Sequence, residues 1–263
     1  MAKSESKMEL KVIAYARNGH TDKFGIPRQS REESPIETRI VFEPEYSVRE
    51  ALRGIEGFSH LWLVWGFSQV ESQEPRVKSL DWSPTVRPPR LGGNTRMGVF
   101  ATRSPFRPNP LGLSSVKLVK IVDGGESRDR RLELIVTGAD LLDGTPIYDI
   151  KPYLSFSDSH PEAQNGFADE TKDYRLKVDW GETKEGVVPL IGVAHRTIPG
   201  EYQVPTRLTP GEWKVDVEYI LSQDPRPAYQ DDPTREYKLD YAGITVTFTV
   251  KEGTAFVQKI EKI

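Results

Sequence analysis

The stretch Phe58–Val70, FSHLWLVWGFSQV, decides the fold class. It is too short and too apolar for a half-exposed helix, so it reads as a central buried strand. Trp62 and Trp65 read as core, and His60 as a hydrogen-bonded core residue rather than a base. Upstream, Leu10–Tyr15 and Ile36–Phe42 read as strands, separated by a charged loop at 17–33 with no periodicity. Ser47 and Glu50 are spaced as a capping box and predict a short helix that stops near Gly54. Downstream, Met97–Thr102 predicts a short strand. Leu113–Val122 and Arg131–Thr137 predict a hairpin turning at Asp123-Gly124-Gly125, with Leu132, Leu134 and Val136 pointing inward. A further short strand is expected at Ile147–Ile150. Strand after strand with turns between them implies a mainly β chain, a small antiparallel β-barrel closed or nearly so.

Composition shifts near Ser155. The polar, acidic stretch 157–171 reads as a linker between a barrel domain at 1–156 and a small α+β C-terminal domain at 172–263. In the latter a helix is expected before Gln223. Ile244–Val250 alternates cleanly, Lys251-Glu252-Gly253 turns, and Thr254–Ile260 returns.

Bulk properties exclude several classes. The chain has 263 residues and a net charge of −3, so nucleic-acid binding would need a local patch. There is no cysteine, which removes disulfides, zinc–thiolate sites and thiol nucleophiles. The polar start MAKSESK has no apolar region of a secretory signal, and no apolar run approaches a membrane span. A soluble, cytoplasmic protein is the expectation. His20, His60, His160 and His195 lack ligand-like spacing, so no metal is expected. Dinucleotide and phosphate-loop glycine patterns are absent, as is the GxSxG elbow.

The needed patch lies at Arg87–Asn109, RPPRLGGNTRMGVFATRSPFRPN. Between Arg76 and Pro110, six Arg and one Lys face one acid, Asp81, a local charge of +6. The interleaved prolines and glycines give this run a fixed backbone that a merely solvated face does not need. Arginine forks bind phosphate in pairs of hydrogen bonds, and Phe100 or Phe106 could stack a base. Asn109, between two prolines, is held extended and can present its amide oxygen to an exocyclic amine. Asp143, before Gly144, reads equally well as a turn residue or as a functional carboxylate. Asp149 and Lys151 complete a second polar cluster. Pro27 would hold Arg28 and Gln29 in a definite direction.

Taken in order, PRQ at 27–29, GFSHLW at 57–62, RPPRLGGN at 87–94, MGVFATRS at 97–104, FRPNPLG at 106–112, DGTP at 143–146 and DIKPY at 149–153 resemble the TrmO family, also called YaeB or TsaA-like. QDPRPAY at 223–229 resembles a motif of that family's C-terminal domain. The resemblance implies a β-barrel tRNA methyltransferase that uses S-adenosylmethionine. It acts on N6 of N6-threonylcarbamoyladenosine at position 37, in the anticodon loop of threonine tRNA. A homodimer is implied, with the cofactor near the subunit interface. Matched residue by residue, the cofactor positions are Pro27, Arg28, Gln29, Ser68, Gln69, Arg103, Leu113, Leu141, Leu142, Asp143 and Gly144. Ser68 stands where some members carry His. Asn109 and Asp143 are candidates to hold the accepting amine. Arg87, Arg90, Arg96, Arg107 and Lys151 are candidates for contacts to substrate tRNA. A non-catalytic barrel that binds RNA or a nucleotide, and a methyltransferase with another acceptor, are the alternatives.

Overall fold

A computed structural model of the chain describes residues 9–67, 82–88, 91, 94–123, 131–171, 174–181, 212–226 and 232–263. Six strands close a barrel: β1 (Ala14–Arg17), β2 (Glu37–Phe42), β3 (His60–Gly66), β6 (Leu111–Asp123), β7 (Leu132–Thr137) and β8 (Pro146–Pro152). Their order round the barrel is β1-β2-β7-β6-β3-β8, and every neighbouring pair is antiparallel. A barrel this narrow has no lumen and is filled by side chains. Ala14 and Ala16 leave room for Ile40, Leu61, Leu63, Trp65, Val116, Leu134 and Ile147, all buried. Closure removes the exposed strand edges that an open sheet would carry.

The first strand begins four residues later than the sequence predicts, at Ala14, and runs to Arg17. No α-helix follows Ser47. Residues Arg49–Leu52 form a short 3-10 turn without a side-chain cap, because the Ser47 hydroxyl instead accepts the Leu132 N–H at 2.8 Å. Within the described part of the apolar run, 58–67, the strand covers His60–Gly66, and it alternates. Trp65 faces the core, whereas Trp62 faces outward, donates to Asp158 at 2.8 Å and packs on Tyr153. His60 is outward too, half-buried beside Ser59 and Glu32 rather than in the core. Within the arginine stretch, β4 (Thr85–Val86) pairs with β5 (Met97–Gly98), and Val99–Ala101 turns away as a 3-10 segment. The hairpin turn at 124–125 lies outside the described residues.

After β8 come a one-turn helix α1 (Ser155–Asp158) and a 3-10 turn at Gly166–Thr171, both within or beside the stretch read as a linker. The remaining elements are β9 (Lys177–Asp179), α2 (Glu212–Ser222), β10 (Tyr237–Tyr241), β11 (Ile244–Lys251) and β12 (Thr254–Lys262). The sheet runs β10-β11-β12-β9, with β9 parallel to β12. Trp213, Val217, Ile220 and Leu221 line one stripe of α2 and bury it on the sheet. Ile36 joins this second core and Phe24 packs against it, although both lie in the first third of the chain. The loop between β1 and β2 is therefore clamped between barrel and C-terminal sheet. Ala242 N–H bonds Gly19 O at 2.9 Å, and the Tyr241 ring lies edge-on to His20. Gly25 is required where it stands. Its φ is +97°, and a Cβ there would lie 2.3 Å from Leu239 Cδ1.

Candidate active site

The clamped loop forms one wall of a cavity of about 700 Å³ at the side of the barrel. Pro27, Arg28 and Gln29 come from that loop; Trp65 and Phe67 from β3 and just beyond it. Arg103, Phe106 and Arg107 come from the loop before β6, Leu113 from β6, and Asp140 and Leu142 from the turn between β7 and β8. Leu113 is half exposed, which marks where the cavity opens. Residues separated by more than a hundred positions thus meet because β3, β6 and β8 are neighbours in the barrel.

Backbone geometry fixes these side chains. The Arg107 guanidinium donates to Thr102 O at 3.1 Å and Ser104 O at 3.2 Å, closing the proline-broken loop on itself. Arg103 donates to the Gln29 side-chain oxygen, tying this loop to the β1–β2 loop. Arg28 donates to Arg226 O at 2.7 Å in the C-terminal domain, and Arg226 is held by a two-point ion pair with Asp224. Burial pulls the Arg28 guanidinium below its ordinary pKa, against the opposing charge of Asp224. On the far side of the same loop, Ile220, Gln223 and Asp224 line a smaller recess of about 150 Å³. The wall between the two recesses is the Lys23–Gln29 segment itself.

Seven sequence-predicted residues meet at the cavity: Pro27, Arg28, Gln29, Arg103, Arg107, Leu113 and Leu142. Others stand elsewhere. Leu141 is fully buried in the barrel core. Gly144 takes φ of +80° and donates to Ala16 O at 2.8 Å. Asp143 is buried and accepts from Arg17 at 3.3 Å and from Asn18 N–H at 3.2 Å. It pins the turn to β1 and does not line the cavity. Burial lowers the Arg17 pKa, and Asp143 opposes that. Asn109 is exposed and absent from the cavity wall. Lys151 is exposed and paired with Asp149 at 3.0 Å. Arg87 and Arg96 are exposed beside β4 and β5, where Arg96 donates to Thr85 at 2.9 Å. Ser68, Gln69 and Arg90 lie outside the described residues.

Asp140, Ser114 and Gly112, which the sequence did not single out, belong to the site. Asp140 lines the cavity and accepts the Ser114 hydroxyl, which in turn accepts the Trp65 indole N–H at 2.9 Å. Burial pushes the Asp140 carboxyl above its ordinary pKa, while Ser114, backbone N–H groups and Arg103 pull it back. Nothing local marks an Asp after Gly-Ala as special. Its partners come from strands that only the closed barrel brings together. Gly112 belongs with them, since a Cβ there would lie 2.2 Å from the Trp65 ring.

The chemistry of this donor set suits a zwitterion with an aromatic end. Guanidinium groups of Arg28 and Arg103 can meet a carboxylate, Asp140 can meet a cation, and Trp65, Phe67, Phe106 and Leu142 offer apolar walls. S-adenosylmethionine is such a molecule.

Comparison with known proteins agrees. A family model described as the tRNA-methyltransferase O N-terminal domain matches residues 15–159, and one for the TrmO C-terminal domain matches 203–263. A relative from Eikenella corrodens named tRNA (adenine(37)-N6)-methyltransferase is 43% identical over 203 residues, covering 77% of this chain and 97% of its own. A relative of the same name from Escherichia coli is 38% identical over 226 residues, covering 86% and 85%. The crystal structure of TrmO from Pseudomonas aeruginosa superposes with a TM-score of 0.68 at 28% identity, over 100% of both chains.

Proposed function

The chain belongs to the tRNA-methyltransferase O family, and we propose that its substrate within the family's reaction is N6-threonylcarbamoyladenosine at position 37 of threonine tRNA. It is an S-adenosylmethionine-dependent tRNA (adenine37-N6)-methyltransferase. The observation that carries the reading is the convergence of the Pro27–Gln29 loop, Arg103, Leu113 and Leu142 on one cavity. When bound, S-adenosylmethionine supplies a methyl group activated by a sulfonium centre.

The protein's own contribution is position. In-line transfer between fixed reactants saves most of the entropy of a bimolecular step. Arg103 and Gln29 hold each other and so fix the distance between the two loops that face across the cavity. Arg28 transmits the C-terminal domain's rigidity to the same wall. Trp65 and Phe67, with ring centroids 4.4 Å apart, close the barrel side against water. Arg87 and Arg96 present charge to tRNA phosphates outside the cavity, beside Phe100, which is 72% exposed and packs on Trp82 at 5.8 Å. An exposed aromatic next to arginines is a surface on which an anticodon-loop base can stack.

A homodimer acting in the cytoplasm, where tRNA is modified, completes the reading. Phe156, 88% exposed, and half-exposed Leu113 at the cavity mouth support it, since each gains from a partner's cover. The test is nucleoside analysis of threonine tRNA, with and without the threonylcarbamoyl group, after incubation with protein and labelled methyl donor. Label on N6 of the modified nucleoside alone is expected. Equal labelling of both tRNAs would refute the threonylcarbamoyl requirement.

A further inference from the structure

Methylating N6 requires that its proton leave. The nitrogen's lone pair is delocalised into the purine, and into a carbonyl when the threonylcarbamoyl group is present, so the neutral N–H is a poor nucleophile. The cavity wall must offer a proton acceptor or leave the task to water. Among the described residues that line it there is no His and no Glu, and Asp140 is the only carboxylate. The other candidates are occupied elsewhere: Asp143 by Arg17 and Asn18, Asp149 by Lys151.

Asp140 is also held as a proton acceptor should be. The single hydroxyl hydrogen of Ser114 is committed to it, because Ser114 accepts from the Trp65 indole. Trp65 is anchored in the barrel core and cannot swing. Backbone N–H groups of Ser30 and of Asp140 itself add further contacts. The support thus comes from β3, β6 and the β1–β2 loop at once. Among the described residues the other charges lining the cavity are cationic: Arg103 acts on Asp140 directly, and Lys23, Arg28 and Arg107 line the same cavity. Arg103 pulls the Asp140 pKa down against the burial that raises it, and because burial is the larger effect the carboxylate is a stronger base than an exposed Asp.

We propose that Asp140 is the catalytic proton acceptor of the methyl transfer. The N6 lone pair forms the bond to the methyl carbon as the carbon–sulfur bond breaks with its electron pair. The N6 proton passes to Asp140 Oδ, leaving a neutral thioether, a methylated N6 and a protonated carboxyl that solvent resets. The inference rests on the cavity being the methyl-transfer site.

The test uses the full-length chain and its Asp140→Asn variant, which keeps an acceptor for Ser114. Wild-type protein is assayed first, and failure to methylate modified tRNA at all would count against the proposed function. Given wild-type activity, the variant's calorimetric affinity for tRNA should stay within about threefold of wild type, while its single-turnover rate at saturating S-adenosylmethionine falls about 1000-fold. The wild-type rate should rise along an acidic limb that the variant lacks. Ser114→Ala is the second variant. It retains the carboxylate but removes a hydrogen bond to its charged form, so its acidic limb should move to higher pH. The proposal is overturned if the Asn variant turns over within tenfold of wild type, or if weaker binding of the methyl donor accounts for its whole loss. A Ser114→Ala profile that superimposes on wild type overturns it as well.

Discussion

Asp216→Asn should stabilise the protein at neutral pH and leave it unchanged near pH 4. Asp216 is buried on α2 and accepts the Tyr241 hydroxyl at 2.6 Å. Burial pushes its carboxyl from the ordinary 3.8 up to about 6, with Tyr241 pulling it down and Glu212 and Glu37 pushing it further up. The sign follows from proton counts. Between pH 4 and 6 the unfolded chain gives up this proton before the folded one, so folding loses stability as pH rises through that window. The two-unit gap corresponds to about 3 kcal/mol, fully lost above pH 6. Asn offers Tyr241 the same acceptor without the charge, so its curve lacks this loss. Urea unfolding followed by tryptophan fluorescence, at intervals from pH 4 to 8, gives the difference directly, since Trp213 is buried in the same core. The gap should open from near zero to about 3 kcal/mol as pH rises. A gap independent of pH, or one favouring Asp at pH 7.5, would show that the Tyr241 hydrogen bond outweighs burial and would refute the reasoning.

Other expectations concern the clamp and the basic face. Arg28→Ala removes both a cavity guanidinium and the bond to Arg226 O, and should weaken S-adenosylmethionine binding at least tenfold by calorimetry. Gly25→Ala must strain a φ of +97° and displace Leu239. It should cost about 1–3 kcal/mol in urea unfolding and weaken the same binding, although residue 25 does not line the cavity. Replacing Arg87 and Arg96 together by Gln should reduce the dependence of log K for tRNA on log salt by about one per lost phosphate contact, with cofactor affinity unchanged.

Much of the barrel could be read from alternation. Leu132, Leu134 and Val136 face inward as their spacing requires, and the C-terminal hairpin turns at Glu252-Gly253, both with positive φ. Local signals misled where distant partners won. Ser47 has the spacing of a helix cap, yet its oxygen satisfies the Leu132 N–H across the barrel. Trp62 and Trp65 are alike by hydropathy, but the strand's period of two sends one outward. At the site, four of the residues matched to the family, Arg28, Gln29, Arg103 and Leu113, are brought by the fold to one cavity. Asp143 attracts attention as a carboxylate in a turn, whereas Asp140, three residues earlier, is the one at the cavity. Only the pairing of β6 with β3 brings Ser114 and Trp65 to it, and that pairing is not visible in any short segment. Arg17, Asn18 and His20 read as loop residues but are buried, with burial pushing the His20 imidazole down to about 4. Their partners Asp143 and Tyr241 lie more than a hundred residues away.

A crystal structure of the protein with S-adenosylhomocysteine or S-adenosylmethionine tests the central claim most directly. The account predicts the ligand between the Pro27–Gln29 loop and Arg103, with its sulfur on the side of the cavity where Asp140 stands. Ligand density anywhere else on the barrel, with this cavity filled only by solvent, would contradict it.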